Sequence, residues 1–250
     1  MKGIDADIKA GSFQPVYLLY GEESYLKKQY GQKLRQALAG VDDTMNVAFY
    51  EGKNINSGEI IDLAETLPFF AERRLIMLEN SGVFKSSSEE LADYMKHVAE
   101  TTCFVFVEEE VDKRGKMYKA VKNVGRAVEF QRQTEEVLTR WILARLGREQ
   151  KKITRQVLQL FLEKTGNDME YIDKELEKLF CYTLGREVVS AADVEEVCVA
   201  QTTGKIFEMV DKIAGKQQKQ ALELYYDLLA LKEPPMRILF LIARQFNLLL

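Results

Sequence analysis

Two hydrophobic periods alternate along the first half of the chain. Val16-Tyr-Leu-Leu-Tyr20 is a short apolar run ended by Gly21, and it reads as a buried strand. Residues 22–39 place Tyr25, Leu26, Leu34 and Leu38 at helical spacing and break at Gly40. A second strand is expected over 46–50, then a helix capped by Ser57 and ending near Leu67. Leu75-Ile-Met-Leu78 is a third strand, and a helix capped by Ser88 is expected to run to about Ala99. Cys103-Phe-Val-Phe-Val107 is the most distinct strand, followed by a basic helix over 113–123 and a last strand over 127–130. Strand and helix alternating over five strands predict a parallel sheet wrapped by helices on both faces.

The pattern changes near Gln133. No long strand is expected beyond it. Residues 134–147, 154–164, 169–183 and 191–199 read as four amphipathic helices, with Thr134, Thr154 and Ser190 as caps, the last in a box with Asp193. Three further helical patterns follow: 205–214, 216–232, and one opening at Pro234-Pro235. The last runs to Leu250 with no glycine, cap or polar tail, so the chain is expected to break off inside a third helical domain. The expected organisation is therefore an α/β domain over 1–133, a small helical domain over 134–203, and an incomplete helical domain over 204–250.

One short segment stands outside this periodicity. Leu67-Pro68-Phe69-Phe70 ends an amphipathic helix, and polarity then flips to Ala71-Glu72-Arg73-Arg74. Neighbouring side chains on a helix or strand point different ways, so one packing surface rarely takes both rings. An exposed apolar cluster of this kind marks a partner surface more often than a catalytic one. The alternative is that both rings close the core beneath the third strand.

Composition narrows the class. The chain has 250 residues, of which 46% are hydrophobic and 30% charged, enough apolar material for real cores. A net charge of -4 argues against bulk electrostatic capture of nucleic acid. The richest apolar stretch, 238–250, contains Arg244, Gln245 and Asn247 and is too short to cross a bilayer. No basic-then-apolar leader pattern opens the chain. Cys103, Cys181 and Cys198 form no C-x-x-C pair, which leaves a zinc knuckle unsupported and fits a reduced, cytoplasmic setting.

An α/β domain followed by helices prompts a search for a phosphate loop after the first strand. The sequence there is Gly21-Glu-Glu-Ser-Tyr-Leu-Lys-Lys28. Against G-x-x-x-x-G-K-[ST], the second glycine is Leu26, the hydroxyl position is Lys28, and only Lys27 fits. Glu22 and Glu23 would repel phosphate and read instead as an acidic helix start. Val107-Glu108-Glu109-Glu110 imitates a magnesium site after a buried strand, but a charged strand exit accounts for it. His97, the single histidine, reads as a surface residue rather than a base. The cations from Lys113 to Lys122 are interleaved with Met117, Tyr118 and Val121, so a solvated face on an ordinary helix is expected, with DNA contact as the alternative.

Four segments taken in order resemble the family of bacterial DNA polymerase III delta subunits, the clamp-opening subunits of the sliding-clamp loader. They are Pro15-Val-Tyr-Leu-Leu-Tyr-Gly-Glu22, the segment 67–74, Lys174-Glu-Leu-Glu-Lys-Leu179, and Arg237-Ile-Leu-x-Leu-x-Ala-Arg-Gln-Phe246. The resemblance implies an AAA+-like fold without nucleotide binding or cofactor, a helical lid domain, and a helical collar that continues past residue 250. It implies the sliding clamp (beta subunit) as a partner, with delta-prime and tau/gamma loader subunits joined through the collar and DNA contact inside the complex. The zinc module of the ATP-binding and delta-prime relatives has no counterpart here. The family inserts an apolar wedge into a pocket on the clamp, and the matching positions are Leu67, Phe69 and Phe70. Pro68 departs from the small polar residue common there. Two rival functions remain: an active ATPase with an atypical phosphate loop, and an adaptor for another partner.

Overall fold

The computed structural model describes every residue except 41–42, 54, 86–88, 200–201, 232 and 250, and gives backbone alone for 202–205, 207–208 and 244–249. The chain divides into two compact units, Met1–Arg132 and Gln133–Leu250.

In the first unit the order is α1 (Lys2–Ala10), β1 (Val16–Tyr20), α2 (Ser24–Ala39), β2 (Val47–Glu51), α3 (Ser57–Glu65), β3 (Arg74–Glu79), α4 (Glu89–Tyr94), β4 (Thr102–Glu108), α5 (Lys116–Val124) and β5 (Arg126–Glu129). The strands form one sheet in the order β2-β3-β4-β1-β5, and every neighbouring pair is parallel. The three central strands are apolar runs because both faces are covered. One face carries Leu18, Ile76, Leu78, Phe104 and Phe106 against Ile60 of α3, Leu91 of α4 and Val121 of α5. On the other, α2 crosses so closely that Gly31 lies over Leu19, Met77 and Val107. The expected sheet, wrapped on both faces, is the one observed.

Several local expectations need correction. α1 precedes the first strand and was not anticipated. Its Asp7 receives two hydrogen bonds from Arg126 at 2.8 and 2.9 Å and one from the Tyr17 hydroxyl at 3.0 Å. The cap of α3 is Asn56, not Ser57; its side chain accepts from the Gly58 N–H, one residue earlier than hydropathy alone places it. Ser88 lies outside the described residues. The helix expected to reach Ala99 ends in a 3-10 turn at His97. The basic helix starts at Lys116 rather than Lys113, because Gly115 stands extended as its cap.

The second unit holds α6 (Glu135–Arg148), β6 (Lys152–Ile153), α7 (Arg155–Thr165), α8 (Met169–Tyr182), β7 (Val188–Val189), α9 (Ala191–Val197), α10 (Thr202–Ala214), α11 (Gln218–Ala230) and α12 (Pro235–Leu249). Among the described residues its regular structure is helical apart from β6 and β7, two two-residue strands that pair in parallel. Thr154 caps α7 through the Val157 N–H, and Ser190 with Asp193 forms a reciprocal capping box on α9. Thr134 precedes α6 without a side-chain cap. Ile206, Met209, Ala221, Leu228 and Ile238 of α10, α11 and α12 form a separate small core.

Candidate functional site

The tip between α3 and β3 is set by local chemistry. A residue ahead of proline is driven to extended backbone, so α3 cannot run through Leu67-Pro68. It stops at Glu65, with Thr66 extended at φ -78°, ψ 137° and its hydroxyl donating to the Leu63 carbonyl at 2.6 Å. Beyond Pro68 the chain turns sharply, and Phe70 adopts φ 48°, a left-handed conformation unusual for an aromatic residue. Leu67, Phe69 and Phe70 are 79%, 56% and 95% exposed. The two rings meet edge to face, 4.6 Å apart at 82°. Neither closes the core beneath β3, so the interior alternative fails for both.

Buried polar side chains hold the backbone under these exposed side chains. Arg74, the first residue of β3, is buried and donates to the carbonyls of Thr66 at 3.4 Å and Leu67 at 3.1 Å, which the end of α3 leaves without helical partners. Asn46, ahead of β2, is also buried. Its Oδ1 accepts from the Phe69 N–H at 2.6 Å and its Nδ2 donates to the Phe69 carbonyl at 2.9 Å. Asp43 accepts in turn from Asn46 Nδ2 at 2.8 Å, and these Asn46 hydrogen bonds hold its carboxyl below the usual carboxylate range. Sequence reasoning noted Arg74 only as part of a polarity flip and overlooked Asn46 and Asp43. No local pattern marks them, because Asn46 finds its partner 23 residues further on.

At the opposite end of β1 the turn is closed on itself. Gly21 has φ 115°, and a Cβ there would sit 2.5 Å from the Phe130 carbonyl oxygen. That same oxygen accepts from the Glu23 N–H at 3.0 Å. A phosphate cradle needs such amides free and pointing at the ligand. Lys27 is buried and donates from Nζ to the Glu108 carbonyl at 2.9 Å. Burial lowers its pKa, opposed by Glu109, Glu108, Glu23 and Glu79. The Glu108 carboxylate is buried and accepts from the Ser81 N–H at 3.0 Å, from the Ser81 hydroxyl, and from the Gly82 N–H at 3.4 Å. Burial pushes its pKa up. Its oxygens serve the turn after β3. Among the described residues no group of three or more His, Cys, Asp or Glu is arranged to hold a metal ion.

The other candidates carry less. His97 is exposed at the end of its 3-10 turn. Of the five cations from Lys113 to Lys122, three face carboxylates: Lys113 with Glu129 at 2.8 Å, Arg114 with Asp112 at 3.2 Å, and Lys116 with Glu89 at 2.5 Å. Charge already neutralised within the protein adds little to phosphate binding. No helix among the described residues is long and apolar enough to cross a membrane.

Comparison with known proteins bears on the family and the fold. A family model described as DNA polymerase III, delta subunit, matches residues 17–131. A second, described as the C-terminal domain of the DNA polymerase III delta subunit, matches residues 203–250. DNA polymerase III subunit delta of Bacillus subtilis is 29% identical over 97% of this chain and 74% of its own length. The solved structure of the Bacillus subtilis DNA clamp loader delta protein superposes with a TM-score of 0.68 and 28% identity, covering 99% of this chain and 76% of that one. RuvB of Thermotoga maritima shares the fold alone, with a TM-score of 0.50, 11% identity, and 86% and 73% of the two chains covered. The chain belongs to the family of DNA polymerase III delta subunits.

Proposed function

We propose that this chain is a non-catalytic subunit of the DNA polymerase III clamp-loading complex and binds the replicative sliding clamp through Leu67, Phe69 and Phe70. One observation carries the reading: three large apolar side chains, each more than half exposed, stand on a backbone pinned by buried Asn46 and Arg74. Protein hot spots have this form, with rigid apolar anchors that fill a pocket on the partner. Burying a Leu and two Phe contributes about 1.5–3 kcal/mol each. Association costs about 4–15 kcal/mol, so the three anchors offset much of that cost and the polar rim supplies the remainder. Opening follows if the tip and its surroundings favour the open ring interface, since a ligand shifts an equilibrium only by its preference for one state.

The mechanism needs no bond chemistry. The closed turn at Gly21 and the internal bonds of Lys27 and Glu108 support the absence of a working nucleotide site. In the same reading residues 1–133, 134–203 and 204–250 act as the clamp-binding, lid and collar parts, the collar joins delta-prime and tau/gamma subunits, DNA is met only within the assembly, and the setting is the cytoplasm. The test is equilibrium binding to the cognate sliding clamp. Leu67→Ala and Phe70→Ala should each nearly abolish binding while leaving the circular dichroism melt unchanged, because both side chains are exposed. Retained affinity in both variants would refute the tip assignment. Clear magnesium-dependent ATP affinity would favour the ATPase reading instead.

A further inference from the structure

We infer that Asn46 is a positioning residue of the tip, holding the Phe69 peptide group so that the rings meet their partner on a backbone already ordered. The inference rests on the clamp-binding reading and deepens it. Leu67, Phe69 and Phe70 are all mostly exposed, so they place no large side chain in the core to fix the turn. What fixes it is hydrogen bonding from the sheet side. Asn46 is 2% exposed. Its carbonyl accepts from the Leu75 N–H at 2.8 Å, and its own N–H donates to Asp43 Oδ1 at 2.9 Å.

The side chain has one acceptor oxygen and two N–H donors, and all are engaged. Asp43, accepting only, draws the amide nitrogen toward itself at 2.8 Å. That leaves Oδ1 for the Phe69 N–H and the second N–H for the Phe69 carbonyl. The carboxamide therefore copies one strand-like pairing with a single residue of the tip. Arg74 holds the carbonyls on the other side of Pro68. These two anchors bracket Pro68, and Phe70 follows directly on the held Phe69 peptide at φ 48°, a conformation an aromatic residue holds only when its surroundings over-determine it. A turn released from the clasp would have to be ordered again on binding, and that cost is subtracted from affinity.

The test uses the full chain and the cognate clamp, with residue-resolved amide exchange as a second readout. In Asn46→Ala the Phe69 amide should lose its protection, the amides within β3 and β4 should keep theirs, and the clamp dissociation constant should rise about tenfold. Asn46→Asp should behave like Asn46→Ala at neutral pH, since a carboxylate cannot donate to the Phe69 carbonyl and is repelled by Asp43. Combining Asn46→Asp with Asp43→Asn restores a donor to the new carboxylate and one bond to the Phe69 N–H. This pair should recover part of the protection and part of the affinity, which a merely structural role would not deliver. Unchanged Phe69 exchange in Asn46→Ala overturns the inference. So does unchanged affinity once the amide is freed, while a loss of binding in Phe70→Ala would leave the proposed function standing. If Leu67→Ala and Phe70→Ala both keep full affinity, the tip assignment falls and this inference falls with it.

Discussion

Under the proposed clamp binding, Phe70 is where stability and binding pull apart. A non-glycine residue at φ 48° carries about 1 kcal/mol of backbone strain, and at 95% exposure its ring returns little by burial. Glycine occupies this region without steric cost. Phe70→Gly should therefore raise the thermal midpoint by about 2 °C, measured by calorimetry, while clamp binding collapses. A lower midpoint would mean that the ring supports the fold. The same residue shows what sequence can disclose at this scale. Two adjacent aromatics after a proline were legible as a surface oddity, because no regular element buries both. Asn46 and Arg74 were illegible, because their roles depend on which backbone atoms they meet in space.

Secondary elements were legible where a run of one polarity outlasted its surroundings. β1, β3 and β4 read directly as apolar runs, since a central parallel strand is buried on both faces. α1 was missed because Lys2–Ala10 mixes charges into its apolar spacing, and the helix is held by Asp7 rather than by a broad apolar face. That tie yields a prediction: Arg126→Met leaves the Asp7 carboxylate, 10% exposed, with only the Tyr17 hydroxyl among the described residues and should cost about 3 kcal/mol in urea unfolding. An unchanged transition would reduce the pair to a surface contact. α9 yields another. Arg186 and the Ser190 backbone and hydroxyl hold the Asp193 carboxyl down to about 2, from an ordinary value of 3.8. A depressed carboxylate stabilises the fold above its unfolded pKa, and that contribution is lost as pH falls through the folded one. The second unit should accordingly weaken between about pH 4 and pH 2. Asp193→Asn should lower its stability at neutral pH and flatten this acid limb, as followed by helical circular dichroism; an acid limb as steep as wild type would remove Asp193 as the cause.

At the scale of the first unit, sheet direction separates the two loops that matter. All five strands run parallel. The closed turn at Gly21 follows the end of β1, whereas the tip precedes the start of β3, so the two lie at opposite ends of the sheet. Closing the turn with the Phe130 carbonyl therefore leaves the tip backbone untouched. Everything that shapes the tip, namely Asp43, Asn46, α3 and Arg74, lies within Met1–Arg132, as do all five strands and the larger core. A fragment of residues 1–132 should fold cooperatively and bind the clamp within about twofold of the full chain, the margin expected when distant sites act independently. Calorimetry of the fragment checks the first half and equilibrium binding the second. A folded fragment with severely weakened binding would place part of the clamp contact in Gln133–Leu250 and make Leu67, Phe69 and Phe70 only one portion of the interface.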